Sequence, residues 1–270
     1  MIAAVREHWP EYLMEAAGLG LFMMSACIGT AIIWHEQSAL ASLLNGYPLV
    51  QRLLMGAAMG LTAMGIVYSP MGKRSGAHIN PAVTLTFLRL GKIKPWDALF
   101  YVLSQFGGAI AGVWLCGLLF QQWVSSETVN YAVTVPGTTG ITAAFVAEVI
   151  ISFGVMSLVL GVSNHRGLSG YTGVFVGLTL VVYITFEAPI SGMSMNPART
   201  VGSAVSAHIY TALWIYFFAP LVGMLAAAEV YLARYGIDAV HCAKLHHTMD
   251  VRCIFKCGYA PEQQNGSSNA

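Results

Sequence analysis

Asn80-Pro81-Ala82 and Asn196-Pro197-Ala198 are the residues of this 270-residue chain whose types and spacing best suit a chemical task. Asn is a favoured helix N-cap, because its side-chain oxygen accepts a backbone N–H of the first turn. Pro in the next position is preset for a helix and lacks only a donor that the first turn leaves unused. With the amide oxygen held by the cap, the NH₂ group is left to donate, beside the positive end of the helix dipole. A single such box is an ordinary helix start. Here it recurs inside a longer frame, since SGAHINPAVT at 75–84 returns as SGMSMNPART at 191–200, 116 residues later. Two helix starts meeting head to head place Asn80 and Asn196 side by side. A water between them must present its oxygen to both donors. Arg199, directly after the second box, adds a full positive charge close by.

The elements that position these boxes must cross a membrane. Apolar and aromatic residues make up 56% of the chain and charged ones only 9%, against roughly a quarter in soluble domains. Charge-free windows lie at 16–35, 53–72, 98–126, 167–186 and 200–228, each long enough to span a hydrocarbon core that needs about 20 residues. With flanking polar punctuation they predict six spans at 12–34, 48–68, 96–120, 141–162, 168–186 and 209–233. Pieces 80–90 and 196–206, opened by the two boxes, are too short to cross, because eleven helical residues rise only about 16 Å. Non-helical backbone at that depth is tolerated only around protein or a water-filled cavity, so both pieces line a shared interior. Gly60-Leu61-Thr62 also returns as Gly177-Leu178-Thr179. Three spans per half is an odd number, so the second half enters the membrane upside down.

Placing the N-terminus inside puts Arg6, Lys73, Arg74, Arg89, Lys92, Lys94, Arg166, Arg234, Lys244, Arg252 and Lys256 on the cytoplasmic side, all but Arg52 and Arg199 of the 13 basic residues, as the positive-inside rule requires. The first apolar stretch exceeds a secretory core and reads as a retained helix. A net charge of +1 argues against a nucleic-acid surface. Neither a GxSxG elbow, an HExxH pair nor a P-loop is present, which argues against an enzyme.

Glu15 and Glu148, in equivalent spans of the two halves, read either as an ion relay or, from those equivalent positions, as structural support, the favoured role. His78 reads as loop packing, or else as a gate or pH sensor. Gly18, Gly20, Gly56, Gly60, Gly107, Gly108, Gly112, Gly173 and Gly177 read as close helix crossings. Five cysteines suggest no paired framework. From residue 235 the composition turns polar, and the tail reads as loosely packed with a disordered end. Within it Cys242, His246, His247, Cys253 and Cys257 form only a weak zinc pattern; no metal or cofactor is expected.

The paired boxes with Arg directly after the second resemble those of the aquaporin family, also called major intrinsic proteins, over about residues 10–235. That resemblance implies an all-α membrane fold of six transmembrane helices plus two re-entrant half-helices in inverted repeats, assembled as a homotetramer with one pore per protomer. The layout it implies is a cytoplasmic N-terminus (1–11), a first repeat (12–123), an extracellular connection (124–140), a second repeat (141–234) and a cytoplasmic tail (235–270). By position Asn80 and Asn196 match the family's pore asparagines and Arg199 its outer-constriction arginine, with Met59, Ile184 and Met193 completing that constriction. Here the chain departs from water-selective members, which carry an aromatic residue and a histidine where Met59 and Ile184 stand. Tyr183, one residue away, is the alternative lining group. Thr200, Ala204 and Tyr216-Phe217 resemble water channels instead. The expectation is a passive channel in the plasma membrane for water, also permeable to small neutral solutes, that excludes protons and ions. The alternatives are a channel mainly for glycerol, ammonia or hydrogen peroxide, and a secondary transporter.

Overall fold

The computed structural model describes residues 1–259, which hold helices and no strand. Its six long helices are α1 (Ile2–Trp34), α2 (Pro48–Tyr68), α4 (Pro95–Phe120), α5 (Ile141–Ser163), α6 (Thr172–Phe186) and α8 (Ile215–Tyr235). Between them lie two half-helices, α3 (Pro81–Arg89) and α7 (Pro197–Ala207). Pro begins α2, α3, α4 and α7, where its missing N–H costs no intrahelical bond. All six long helices are apolar enough and long enough to cross a bilayer once the 3₁₀ turn Ser169–Tyr171 that leads into α6 is counted with it.

The packing carries the inverted repeat. α1 packs on α4, α5 on α8, and α2 on α6 along the axis between the halves. Each half-helix crosses over, with α3 on α8 and α7 on α4. Small residues permit these approaches, since a Cβ on Gly60 would stand 2.6 Å from the Gly177 carbonyl oxygen, so α2 and α6 touch backbone to backbone. Gly20, Gly108 and Gly112 do the same for α1 and α4, whereas Gly107 meets nothing within 4 Å and plays no part in a crossing. Large apolar side chains such as Leu61, Trp114 and Ile150 are exposed on the outside, where lipid tails replace a protein core.

Three boundaries differ from those expected. Residues 2–11 are not a separate N-terminal segment but the first turns of α1, with Pro10 inside the helix. His8 and Tyr12 both bond the Asp97 carboxylate, at 2.7 and 2.6 Å, and Glu11 pairs with Arg74 at 2.9 Å. These polar links dock charged helical turns that hydropathy leaves out. The last span starts at Ile215 rather than 209, because His208 and Ala212 take positive φ and turn the chain. The tail is not loosely packed up to Tyr259: Val240, Ala243 and Lys244 are buried, as are Leu245, Ile254 and Phe255. The expected disordered end, 260–270, lies outside the described residues.

Candidate pore

Both re-entrant loops have one unusual backbone course. Ala77 and Ile79 in the first, and Met193 and Met195 in the second, take positive φ, a strained choice for side chains with a Cβ. Buried carboxylates hold them there. Glu15 accepts from the backbone of His78 (3.1 Å) and Ile79 (2.6 Å), and from the Ser75 hydroxyl (2.7 Å). Glu148 accepts from the backbone of Ser194 (2.6 Å) and Met195 (2.7 Å), and from the Ser191 hydroxyl (2.8 Å). Every partner is a donor, the pattern a carboxylate requires. With their N–H groups turned outward, the loops leave the carbonyls of Ala77, His78, Met193 and Ser194 without a donor among the described residues, and each of these residues lines a cavity.

Asn80 and Asn196 cap the two half-helices as their residue type demands. The Asn80 oxygen accepts from the Ala82 N–H at 2.9 Å. The Asn196 oxygen accepts from Ala198 at 3.0 Å and Arg199 at 3.1 Å. Each amide then reaches across to the other half, Asn80 Nδ2 donating to Met195 O at 2.7 Å and Asn196 Nδ2 to Ile79 O at 2.8 Å. An NH₂ group carries two hydrogens, so one locks the halves together and one remains for the lumen. That is half the free donor capacity expected from the sequence.

Two cavities meet in this region. The outer one, about 450 Å³, is lined by Met59, Ile184, Met193 and Arg199 together with Phe22 and Arg52. Tyr183 does not line it; its hydroxyl lies against Gly154 of α5. Arg199 Nη1 is buried without a hydrogen-bond partner among the described residues, and so is unspent beside that space. The inner cavity, about 100 Å³, is lined by Asn80, Asn196, His78 and Ile79, together with Leu245 of the tail. Phe22, Leu180 and Ser194 belong to both linings.

His78 is anchored rather than loose. Its Nε2 lies 2.8 Å from the Ala243 carbonyl, which can only accept, so Nε2 donates there and Nδ1 meets the Thr84 hydroxyl at 3.0 Å. Its ring stacks between Phe87 and Phe255. Ser194 and Thr200 stand in the same relation in the second half. The supports that sequence reading passed over follow this repeat: Tyr101 donates to the Ser75 carbonyl and Tyr216 to the Ser191 carbonyl. Ser75, Ser191, Thr84 and Thr200 were in plain view inside the repeated frame. Gln105, which donates to Glu15 at 2.8 Å and to Thr84 at 3.0 Å, has no counterpart in the second half and left no such signal.

The Major intrinsic protein family model matches residues 3–231. The chain belongs to that family. Its relatives include Aquaporin NIP1-2 of Arabidopsis thaliana, 34% identical over 83% of this chain and 74% of the relative, and Nodulin-26 of Glycine max, 32% identical over 83% and 78%. A probable aquaporin NIP-type of Nicotiana alata is 42% identical over 64% of this chain, a match that spans 62% of that relative's length. Among solved structures, the X-ray structure of the aquaglyceroporin from Plasmodium falciparum shares the fold, with a TM-score of 0.69 at 21% identity over 83% of this chain and 96% of that one. The protein is therefore an integral multi-pass member of a family of passive membrane channels for water, small solutes or both, and not an enzyme.

Proposed function

We propose that this major intrinsic protein conducts water, admits small neutral solutes such as glycerol, ammonia or hydrogen peroxide, and excludes protons and ions. The observation that carries the reading is the pair of crossed amides, Asn80 and Asn196, each with one N–H left for the lumen between two opposed half-helices. A single file of water can pass donors at the centre and accept no tight binding, while the unpaired loop carbonyls replace bonds lost from bulk water. Stopped-flow shrinkage of proteoliposomes tests it: flux should be fast, non-saturating and independent of ions.

Met59, Ile184, Met193 and Arg199 are the proposed outer filter. Two apolar walls facing one guanidinium favour passage of solutes larger than water over strict water selection. Exchanging Met59→Phe together with Ile184→His should narrow the filter and lower the glycerol-to-water permeability ratio about tenfold, since about 1.4 kcal/mol of added barrier suffices. An unchanged ratio in folded protein would remove these two residues from the filter.

Glu15 and Glu148 are buttresses in this reading, because their oxygens are taken up by loop donors and are not left to coordinate a coupling ion. Asn80→Ala or Asn196→Ala removes a helix cap of about 1 kcal/mol and a cross-half hydrogen bond of similar size. Either variant should lose most water permeability and unfold at lower temperature; wild-type values in both assays would refute the role. From the basic-residue distribution and the family resemblance we further infer cytoplasmic termini, a plasma-membrane location and assembly as a homotetramer.

A further inference from the structure

We propose that Cys242, His247, Cys253 and Cys257 bind a divalent cation of the zinc class, and that this metal fastens the C-terminal segment across the mouth of the inner cavity. One ligand atom from each of the four lies within 4.8 Å of all the others. Cys242 Sγ is 3.6 Å from Cys253 Sγ, and Cys257 Sγ is 3.1 Å from His247 Nε2. Tetrahedral coordination with metal–sulfur bonds of about 2.3 Å sets sulfur–sulfur edges of about 3.8 Å, so small adjustments bring the four onto one ion. All the thiols are free. Three sulfurs and an imidazole form a closed structural set for zinc, and they suit neither magnesium nor calcium, which take oxygen. His246 stands apart with its ring edge against Tyr68, and the His241 ring packs on Tyr259.

Binding is a proton exchange. As three S–Zn bonds form, the three thiols release their protons to solvent, leaving a singly negative centre. Lys244 is placed to offset it. That side chain is 2% exposed, its ammonium donates to the Arg252 carbonyl at 2.7 Å, and among the described residues it makes no ion pair.

The segment also has the character of chain that a metal folds. After a three-residue 3₁₀ turn at Ile237–Ala239 it carries no regular element up to Tyr259, yet Val240, Leu245, Ile254 and Phe255 are buried. Its backbone joins the bundle at few points, Leu245 N to Gly76 O (3.1 Å) and Lys256 N to Lys92 O (2.9 Å) among them. A structural metal supplies folding free energy to such segments directly. Leu245, which lines the inner cavity, and Ala243, whose carbonyl holds His78, both lie in sequence between two of the ligands, Cys242 and His247.

The test uses the full-length protein in detergent with reductant, stripped of metal by a chelator and titrated with Zn²⁺. Wild type should take up one zinc per chain and retain it through gel filtration. Cys253→Ser and Cys257→Ser should weaken binding by at least about tenfold, while Cys27→Ser and Cys116→Ser, in the membrane-spanning helices, should bind as wild type does. Zinc should also slow tryptic cleavage after Lys244, Arg252 and Lys256 in wild type and not in Cys253→Ser. Helix content by circular dichroism checks each variant; if a variant misfolds, the stripped and reloaded wild type still decides the matter by metal content and cleavage. No uptake by wild type, equal uptake in the tail variants, or a cleavage rate indifferent to zinc would each overturn the proposal.

Discussion

Glu148→Leu should abolish water permeation and leave the protein unfolding at much lower temperature. The Glu148 side chain is fully buried and accepts from two backbone N–H groups and one hydroxyl. Leucine fills similar volume but offers no acceptor. Each donor stranded in the interior costs about 1–3 kcal/mol, and a whole domain is stable by only about 5–15 kcal/mol. The loss falls on a loop that is already strained, with positive φ at Gly192, Met193 and Met195. Such backbone persists only while its surroundings over-determine it. Once released, the loop carries Asn196 and Arg199 out of register, so permeation should fall together with stability. Glu148→Gln keeps one acceptor oxygen but turns an NH₂ toward donors, and should fall between the two. Thermal unfolding in detergent and proteoliposome flux are the measurements; a leucine variant matching wild type in both would show that the loop stands without its carboxylate.

Most of the architecture could be read because the membrane makes sequence literal. Charge-free windows of about 20 residues have one use, and a box repeated at 116 residues with three spans per half dictates inversion. What escaped was whatever depends on polar contacts between distant segments. The first turns of α1 look like a charged leader until Asp97 and Arg74 are found beside His8 and Glu11. The tail looks like a solvated end until Ala243 is found on His78 and Phe255 on its ring. The asparagines were legible as caps and donors, yet their bond to the opposite loop exists only once the two halves are folded together. The choice between Tyr183 and Ile184 turned on helix rotation: α6 directs Tyr183 to Gly154 and brings Ile184 to the outer cavity. A one-residue shift moves a helical side chain by about 100°, more than a gapless count between motifs can resolve.

Arg199→Val should raise proton or cation leak about a hundredfold while water flux persists. A continuous file of hydrogen-bonded water would relay protons, so a tight pore needs either a break in that file or an electrostatic barrier. In the proposed reading Asn80 and Asn196 supply the first, because a central water that accepts from both amides points its hydrogens outward along both arms, away from the positive ends of the two half-helix dipoles. Arg199 is proposed to supply the second. Its guanidinium lines the outer cavity with Nη1 buried and unpartnered, so little local charge cancels its field there. A unit charge passing about 5 Å away at an effective dielectric constant of about 20 meets roughly 3 kcal/mol of repulsion, or about a hundredfold in rate. Water and glycerol carry no net charge and do not meet it. Valine removes the charge and widens the site, so the loss should be selective for ions. The readout is acidification of dye-loaded vesicles under an imposed potential, with water flux measured on the same preparation. A leak equal to wild type in a folded, water-conducting variant would assign the whole barrier to the two asparagines and the opposed helix starts.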